Sequence, residues 1–458
     1  MRKTIIGRSR AFFWGGIFFC ACYCIRGQSW AEPIPGDSLK ADQAPKAAET
    51  TSSPEMEKAA ELFQKRDFEG ARKLLQEAVK KNPDLPPADV IMAQLFSQVN
   101  MGVGVRSALE RATAETPDDP EAFIIMGELA MRERRITEAT LLFEHAFRLM
   151  GSWAGSEKRR QSLWPRLYGG LAAAAAARDK WDAAQKHLES WLKLDPKSAS
   201  ARQQLAQCLF QQKQPEAALE KLKEAAQLDV EMLTPEAVLA QYYARSGDQE
   251  NARKWMVAAL TAAPKDLKTR LVAAQWAWEA GYLEEAEKQA AAAMQLDAKS
   301  LDAMILRGII ALFRKDYKSA ERYFEAAHLQ SPKNFAATNN LALALAEQDD
   351  ETKRRRALDY AEANVRQYPK SSEALSTYGW VLFKLGRAED AEKALRLAVS
   401  GGTFSADTAY YLARVLVERG READMKDARQ LLESALASTG PFSQRQEAKT
   451  LLDHLKKP

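Results

Sequence analysis

An all-α solenoid of stacked helix pairs is the fold class this sequence predicts, on three observations. The first is a spacing. "RDFEGARKLLQEAVKKNP" (66–83), "GDQENARKWMVAALTAAP" (247–264) and "KDYKSAERYFEAAHLQSP" (315–332) each carry Ala, a second Ala seven residues on, and Pro five after that. The second is its recurrence. The last place returns at Pro83, Pro117 and Gly151, then at Pro196, Val230, Pro264, Ala298, Pro332, Pro369, Thr403 and Gly440, most steps being 34 residues. A fixed period of that length with helix–turn–helix patterning is the mark of a repeat array. The third is bulk: 458 residues exceed one ordinary core, while 46% hydrophobic and 28% charged residues describe a folded chain.

Residues 1–31 come first. Arg2, Lys3, Arg8 and Arg10 precede an uncharged, largely apolar run of 15 residues from Ala11 to Ile25, and Ser29-Trp30-Ala31 follows with small residues at the cleavage places. This is the layout of a secretory signal peptide. The run is short of the roughly 20 residues a membrane-spanning helix needs, so cleavage is favoured over an uncleaved anchor. The expected location is periplasmic or extracellular, with no integral span after cleavage. Loss of Arg2, Lys3, Arg8, Arg10 and Arg26 turns 66 basic against 62 acidic residues into 61 against 62. The net charge of +4 therefore belongs to the export segment, and no electrostatic case for nucleic acid survives. Three of the four cysteines also fall there, leaving Cys208 without a disulfide partner.

Residues 32–54 are rich in Pro, Ala and Ser and predict a flexible linker. An N-terminal array of about three repeats follows over 55–153, then an inserted segment at 154–164, predicted as a loop. A C-terminal array of about eight repeats covers 165–440, and residues 441–458 predict a polar-faced helix that caps the open end. Repeats start near 52, 86, 120, 165, 199, 233, 267, 301, 335, 372 and 406. The ninth and eleventh gain three residues near "EQDDETKRRR" and "ERGREADM", as a longer first helix or a longer loop. In the second, Val105 stands where Ala belongs, and "MGVGVR" (101–106) is predicted as the turn between its helices.

Counted from each start, Tyr317, Ala320, Phe324, Ala327 and Pro332 take places 17, 20, 24, 27 and 32, and Leu375, Tyr378, Gly379 and Leu382 take places 4, 7, 8 and 11. On these residues the chain resembles the tetratricopeptide-repeat family over about residues 52–440. The resemblance implies a right-handed superhelix of about 11 helix pairs. Small residues at places 8, 20 and 27 let helices approach closely, and Pro at place 32 ends the second helix.

The motifs of catalysis do not occur. His145, His187, His328 and His454 are far apart, and none has another His three or four residues away, so the paired imidazoles of H-E-x-x-H are absent. Neither a G-x-x-x-x-G-K-[ST] phosphate loop nor a G-x-S-x-G elbow is present. "KRRR" (353–356) follows "DDE" (349–351), which balances it locally. The expectation is a protein that is not an enzyme and has no cofactor or metal.

At about 100° per residue, places 4, 7, 8 and 11 of a first helix form one stripe, and places 2, 5, 9, 12 and 13 lie opposite. The resemblance makes that opposite side the concave groove where peptides or partner helices dock. Place 9 is Gln207, Gln241 and Gln275 in consecutive repeats, with Gln94 in the second. Such an amide ladder suits the backbone of an extended peptide, although Gln is also simply a good polar helix former. Farther along, groove places become apolar: Trp278, Ile305, Ile309, Leu312, Trp380 and Phe383. Exposed, these residues are binding anchors; pressed against a neighbouring repeat, they are packing. Gly169, Ala173 and Ala176 hollow the same face, as a pocket or for close packing. A Lys/Asn/Arg clamp for acidic chaperone tails is incomplete, since Asn340 fits but Leu343 does not. The leading expectation is an exported scaffold for protein or peptide partners in a cell-envelope assembly. The alternative is an accessory of polysaccharide export or envelope biogenesis that binds glycan or guides a secretion pore.

Overall fold

A computed structural model of the chain describes residues 53–456. The signal peptide expected at 1–31 and all but the end of the linker expected at 32–54 lie outside these residues. Within them are 23 helices and no strand, in two compact units divided between Ala258 and Ala259.

The N-terminal unit holds α1 (Pro54–Gln64), α2 (Phe68–Lys81), α3 (Ala88–Gln98), α4 (Gly102–Glu115), α5 (Pro120–Arg132), α6 (Ile136–Ser152), α7 (Glu157–Ala176) and α8 (Trp181–Leu194). It continues through α9 (Ala199–Gln211), α10 (Pro215–Leu228) and α11 (Pro235–Arg245) into α12 (Gln249–Ala262), which the division crosses. The C-terminal unit holds α13 (Leu267–Glu279), α14 (Leu283–Leu296), α15 (Leu301–Phe313), α16 (Tyr317–Gln330), α17 (Phe335–Ala346) and α18 (Glu351–Gln367). After these come α19 (Ser372–Lys384), α20 (Ala388–Ser400), α21 (Ala406–Arg419), α22 (Glu422–Ala437) and α23 (Arg445–Leu455). Helices α1 to α22 make eleven pairs, and within each unit a pair packs on its neighbours in chain order.

Local chemistry sets the boundaries. Ser53, Ser198, Ser300, Asn334, Ser371 and Ser405 each accept a hydrogen bond from a backbone N–H in the first turn of the helix that follows. Such caps satisfy donors that the helix itself leaves free. Between the helices of a pair, one residue turns the chain in the left-handed conformation. It is Arg66, Asn100, Arg134, Asp179, Lys213 and Lys315, and Gly247, Gly281, Gly386 and Gly420 elsewhere, all at place 15.

The core follows from the small residues. Ala320 and Ala327 are fully buried with Phe324, whose ring lies where a Cβ on Gly308 would come within 2.5 Å of it. Phe143 fills the same role in the third pair, against both Gly127 and Gly170. Val105 is accommodated at its Ala place, and the neighbouring Gly104 leaves room for the Phe96 ring.

Three expectations are corrected. The segment 154–164 is mostly helix, because α7 starts at Glu157 behind a Ser156 cap and continues through Pro165. Its first turns are anchored by charge: Arg159 is buried and donates to Asp119 (2.8 Å) and Glu121 (2.7 Å) at the start of α5, and Arg166 pairs with Glu128 (2.8 Å). The compact units divide inside α12. The extra residues of the ninth and eleventh pairs lengthen the second helix, since α18 has 17 residues and α22 has 16 where 14 is common. Finally, the turn of the second pair lies at Val99–Met101 with Asn100 left-handed, and residues 102–106 already belong to α4.

Candidate functional site

In the C-terminal unit, first helices pack on first helices: α13 on α15, α15 on α17, α17 on α19 and α19 on α21. Places 5, 9, 12 and 13 meet across this inner row. Trp278 packs edge-on against Phe313 of the next pair, with ring centroids 5.2 Å apart. Trp278, Ile305, Ile309 and Trp380 are buried, while Leu312 and Phe383 are half-buried. The apolar run is thus largely the packing between neighbouring first helices, with edges at Leu312 and Phe383 that remain accessible.

Trp380 is the centre of this row and only 5% exposed. Tyr411 stacks on it at 4.2 Å with planes 13° apart, and Phe383 lies 5.2 Å away on its own helix. Its indole Nε1 donates to Glu347 Oε1 at 2.7 Å, and Lys384 reaches the other oxygen of that carboxylate at 2.8 Å. The Lys384 ammonium also stands 5.3 Å over the indole ring. Charge and aromatic faces are thereby interlocked across three consecutive pairs.

The C-terminal segment closes against the same row. Phe442 is buried and packs edge-on to Tyr410, and Ala448 and Leu452 join the cluster that contains Trp380, Tyr410 and Tyr411. Arg445 fixes the approach of the segment by donating to the carbonyl oxygens of Leu436 and Ser438. Glu447 accepts from Lys315, 132 positions earlier, at the turn between α15 and α16. Burial pushes the Tyr317 phenol up to about 12, helped by Glu347, Glu447 and Tyr410 nearby. Burial also raises Tyr410, beside the same two carboxylates. The helix expected as an end cap packs on α22 and also reaches back to the eighth pair.

One further polar pair lies on this row. Asn339 is 1% exposed and its Nδ2 donates to Glu373 at 3.3 Å, while its Oδ1 is buried with no hydrogen-bond partner. Burial pushes the Glu373 carboxyl up to about 7.

Profiles of the tetratricopeptide repeat match residues 175–241, 237–266, 305–353 and 349–407. The chain is a tetratricopeptide-repeat protein. No curated protein sequence matches it. Among solved structures it is similar to yeast Tom70, at 14% identity over 87% of this chain and 94% of that one, with a TM-score of 0.36. It is also similar to the APC/C hetero-tetramer Cut9–Hcn1, at 11% identity over 89% and 97%, TM-score 0.40. PilW, described as a widely conserved type IV pilus biogenesis factor, is 18% identical over 48% of this chain and 96% of its own, TM-score 0.34.

The amides of this tetratricopeptide-repeat protein are not equivalent. Gln94 is exposed and Gln207 half-buried, whereas Gln241 and Gln275 are buried. Gln275 Nε2 donates to Glu279 on its own helix at 2.6 Å. The first two lie with Gln241 in the N-terminal unit, and Gln275 is in the C-terminal one. Gly169 faces the Trp191 ring at 3.1 Å from where its Cβ would stand, which is close packing. Asn340 donates to the Ala336 carbonyl of its own helix. Each residue of "KRRR" pairs with a carboxylate: Lys353 with Glu321, Arg354 with Asp349, Arg355 with Glu351 and Arg356 with Glu325.

His145, His187 and His328 serve packing, while His454 is exposed. His145 lies edge-on to Phe123, His328 to Tyr360, and burial lowers the pKa of His187. Cys208 is buried and its thiol is pushed up to about 12. Among the described residues no group of three or more His, Cys, Asp or Glu is placed to hold a metal ion. Sequence reasoning missed Glu347, Lys384 and Tyr410, although they occupy groove places 13, 13 and 5 and could have been read with the rest. It also missed Lys315 and Glu447, for which no spacing rule gives a signal.

Proposed function

We propose that this is an exported, non-enzymatic scaffold that binds protein or peptide partners along the inner faces of its repeats, as part of a cell-envelope assembly. Tetratricopeptide repeats are a protein-interaction scaffold, and the finer reading rests on one observation. The inner row of the C-terminal unit already holds the segment that carries α23, through Phe442 just ahead of that helix on Tyr410, with Glu447 of α23 reaching Lys315 at the turn after α15. A face that accommodates a helix by an aromatic contact and a charged rim has the chemistry of helix-in-groove recognition. Export is supported by the layout of residues 1–31. No helix among the described residues is long and apolar enough to cross a membrane.

The test is a photo-crosslinking amino acid placed at Phe383, at Gln207 and at Leu397, followed by identification of attached material from envelope preparations. Leu397 is exposed on a second helix and serves as the control. Defined proteins attached at Phe383 or Gln207 and not at Leu397 support the reading. Equal attachment at all three sites, or glycan in place of protein, refutes it.

A further inference from the structure

The C-terminal segment is held more lightly than the helix at the other end of the array, since α1 packs more extensively on α2 than α23 does on α22. Repeat helices inside the array pack on partners before and after them, whereas α23, like α1 at the other end, packs extensively on one neighbour alone. At 11 residues it is also short, and a helix of that length in isolation is marginal. Its distant anchor is the Lys315–Glu447 pair, with 43% and 42% of the side chains exposed. An ion pair so open to water holds weakly, and reversing either charge turns it into a repulsion. Its buried polar atoms are incompletely matched as well, because Glu447 Oε2 and Gln444 Oε1 have no hydrogen-bond partner. Unpaired buried acceptors weaken a docked surface and leave places that other donors can fill.

What α23 covers is the most elaborated part of the inner row. Phe442 packs on Tyr410, Ala448 and Leu452 share a buried cluster with Tyr410, Tyr411 and Trp380, and Glu447 lies near Tyr317. We propose that residues 441–456 are a detachable, built-in occupant of the inner face of repeats eight to eleven. In its place that face accepts from a partner protein an amphipathic helix of the same pattern: an aromatic residue, a carboxylate five places later, and small and leucine side chains along the buried stripe. The inference rests on the partner-binding reading above and names the kind of partner. Release of α23 is the step that makes the face available, so cis and trans helices compete for one site.

Hydrogen exchange on the full chain tests the first half, using Glu447→Lys, Lys315→Glu and the double charge swap. Each single substitution is expected to speed exchange in 445–455 by about tenfold while α21 and α22 keep their rates, and the double swap to restore protection. A labelled peptide of residues 441–456 tests the second half. It is expected to bind Glu447→Lys protein about tenfold more tightly than wild type, and Lys315→Glu protein more weakly than Glu447→Lys. Exchange of α23 in step with α22 in the wild type and every variant overturns the detachable occupant. Faster exchange of α23 with no gain in peptide binding overturns the partner pattern. Either failure leaves the scaffold reading to be decided by the crosslinks at Phe383 and Gln207.

Discussion

The two units hold their most elaborated junctions with different chemistry. At its irregular point the N-terminal unit uses buried charge, where Arg159 on the extended start of α7 is clasped by Asp119 and Glu121 from α5. The C-terminal unit joins successive first helices with rings, Trp278, Trp380, Tyr410 and Tyr411 carrying the row. The difference teaches where each unit is brittle. A buried ion pair fails when one partner is removed, because the other remains desolvated, whereas an aromatic row loses contact area by degrees.

The sharpest way to break the comparison is Arg159→Ala. It leaves Asp119 without a countercharge and Glu121 with only Arg166, 3.8 Å away, and is expected to cost about 3–5 kcal/mol, read as earlier urea unfolding of the N-terminal unit by hydrogen exchange. If the loss is instead as small as for an exposed arginine, charge does not hold that junction. Next in size is Gly308→Ala, which drives a methyl group into the Phe324 ring and is expected to destabilise the C-terminal unit by about 1–3 kcal/mol. Trp380→Phe keeps a ring but removes the donor to Glu347, and about 1–2 kcal/mol is expected from the same measurement.

Acidity separates the units further. A carboxyl whose folded pKa is raised binds its proton more tightly in the native state, so stability falls as pH rises from about 4.5 through about 7 and then levels off. Glu373→Gln is expected to flatten that fall and to leave the C-terminal unit on the order of 1 kcal/mol more stable than wild type at pH 8, as read by urea midpoints at pH 5 and pH 8. The smallest effect is at a turn. Lys213→Gly relieves a left-handed lysine and is expected to stabilise the N-terminal unit by about 0.5 kcal/mol.

The fold was legible because the period is written in side-chain size. Gly308, Ala320 and Ala327 are small where helices touch, and the Pro332 place ends each pair, so helix positions followed from counting. The start of α7 was not legible. Pro165 and an 11-residue excess read as a break, and the partners that hold Arg159 in place lie 38 and 40 residues upstream. The site was half legible for a similar reason. Place numbers found Trp380 and Phe383, but whether Trp380 is exposed depends on Glu347, 33 residues away, and on Tyr411 in the next pair. The closing of the row by α23 depends on a contact across 132 residues and has no local signature.

The left-handed residue at place 15 gives the array a counting rule. One inserted residue turns everything after it by about 100° on a helix, so an insertion between the close-packed place 8 and this turn would swing the second helix off its seat. The tolerated additions respect that interval: they lengthen α7 before its small residues, and α18 and α22 beyond the turn. The ninth pair, where the addition abuts the turn, is the one among the eleven without a left-handed residue at that place. Length in this protein is therefore free to vary only at the seams, and the stretch from place 8 to place 15 is its fixed gauge.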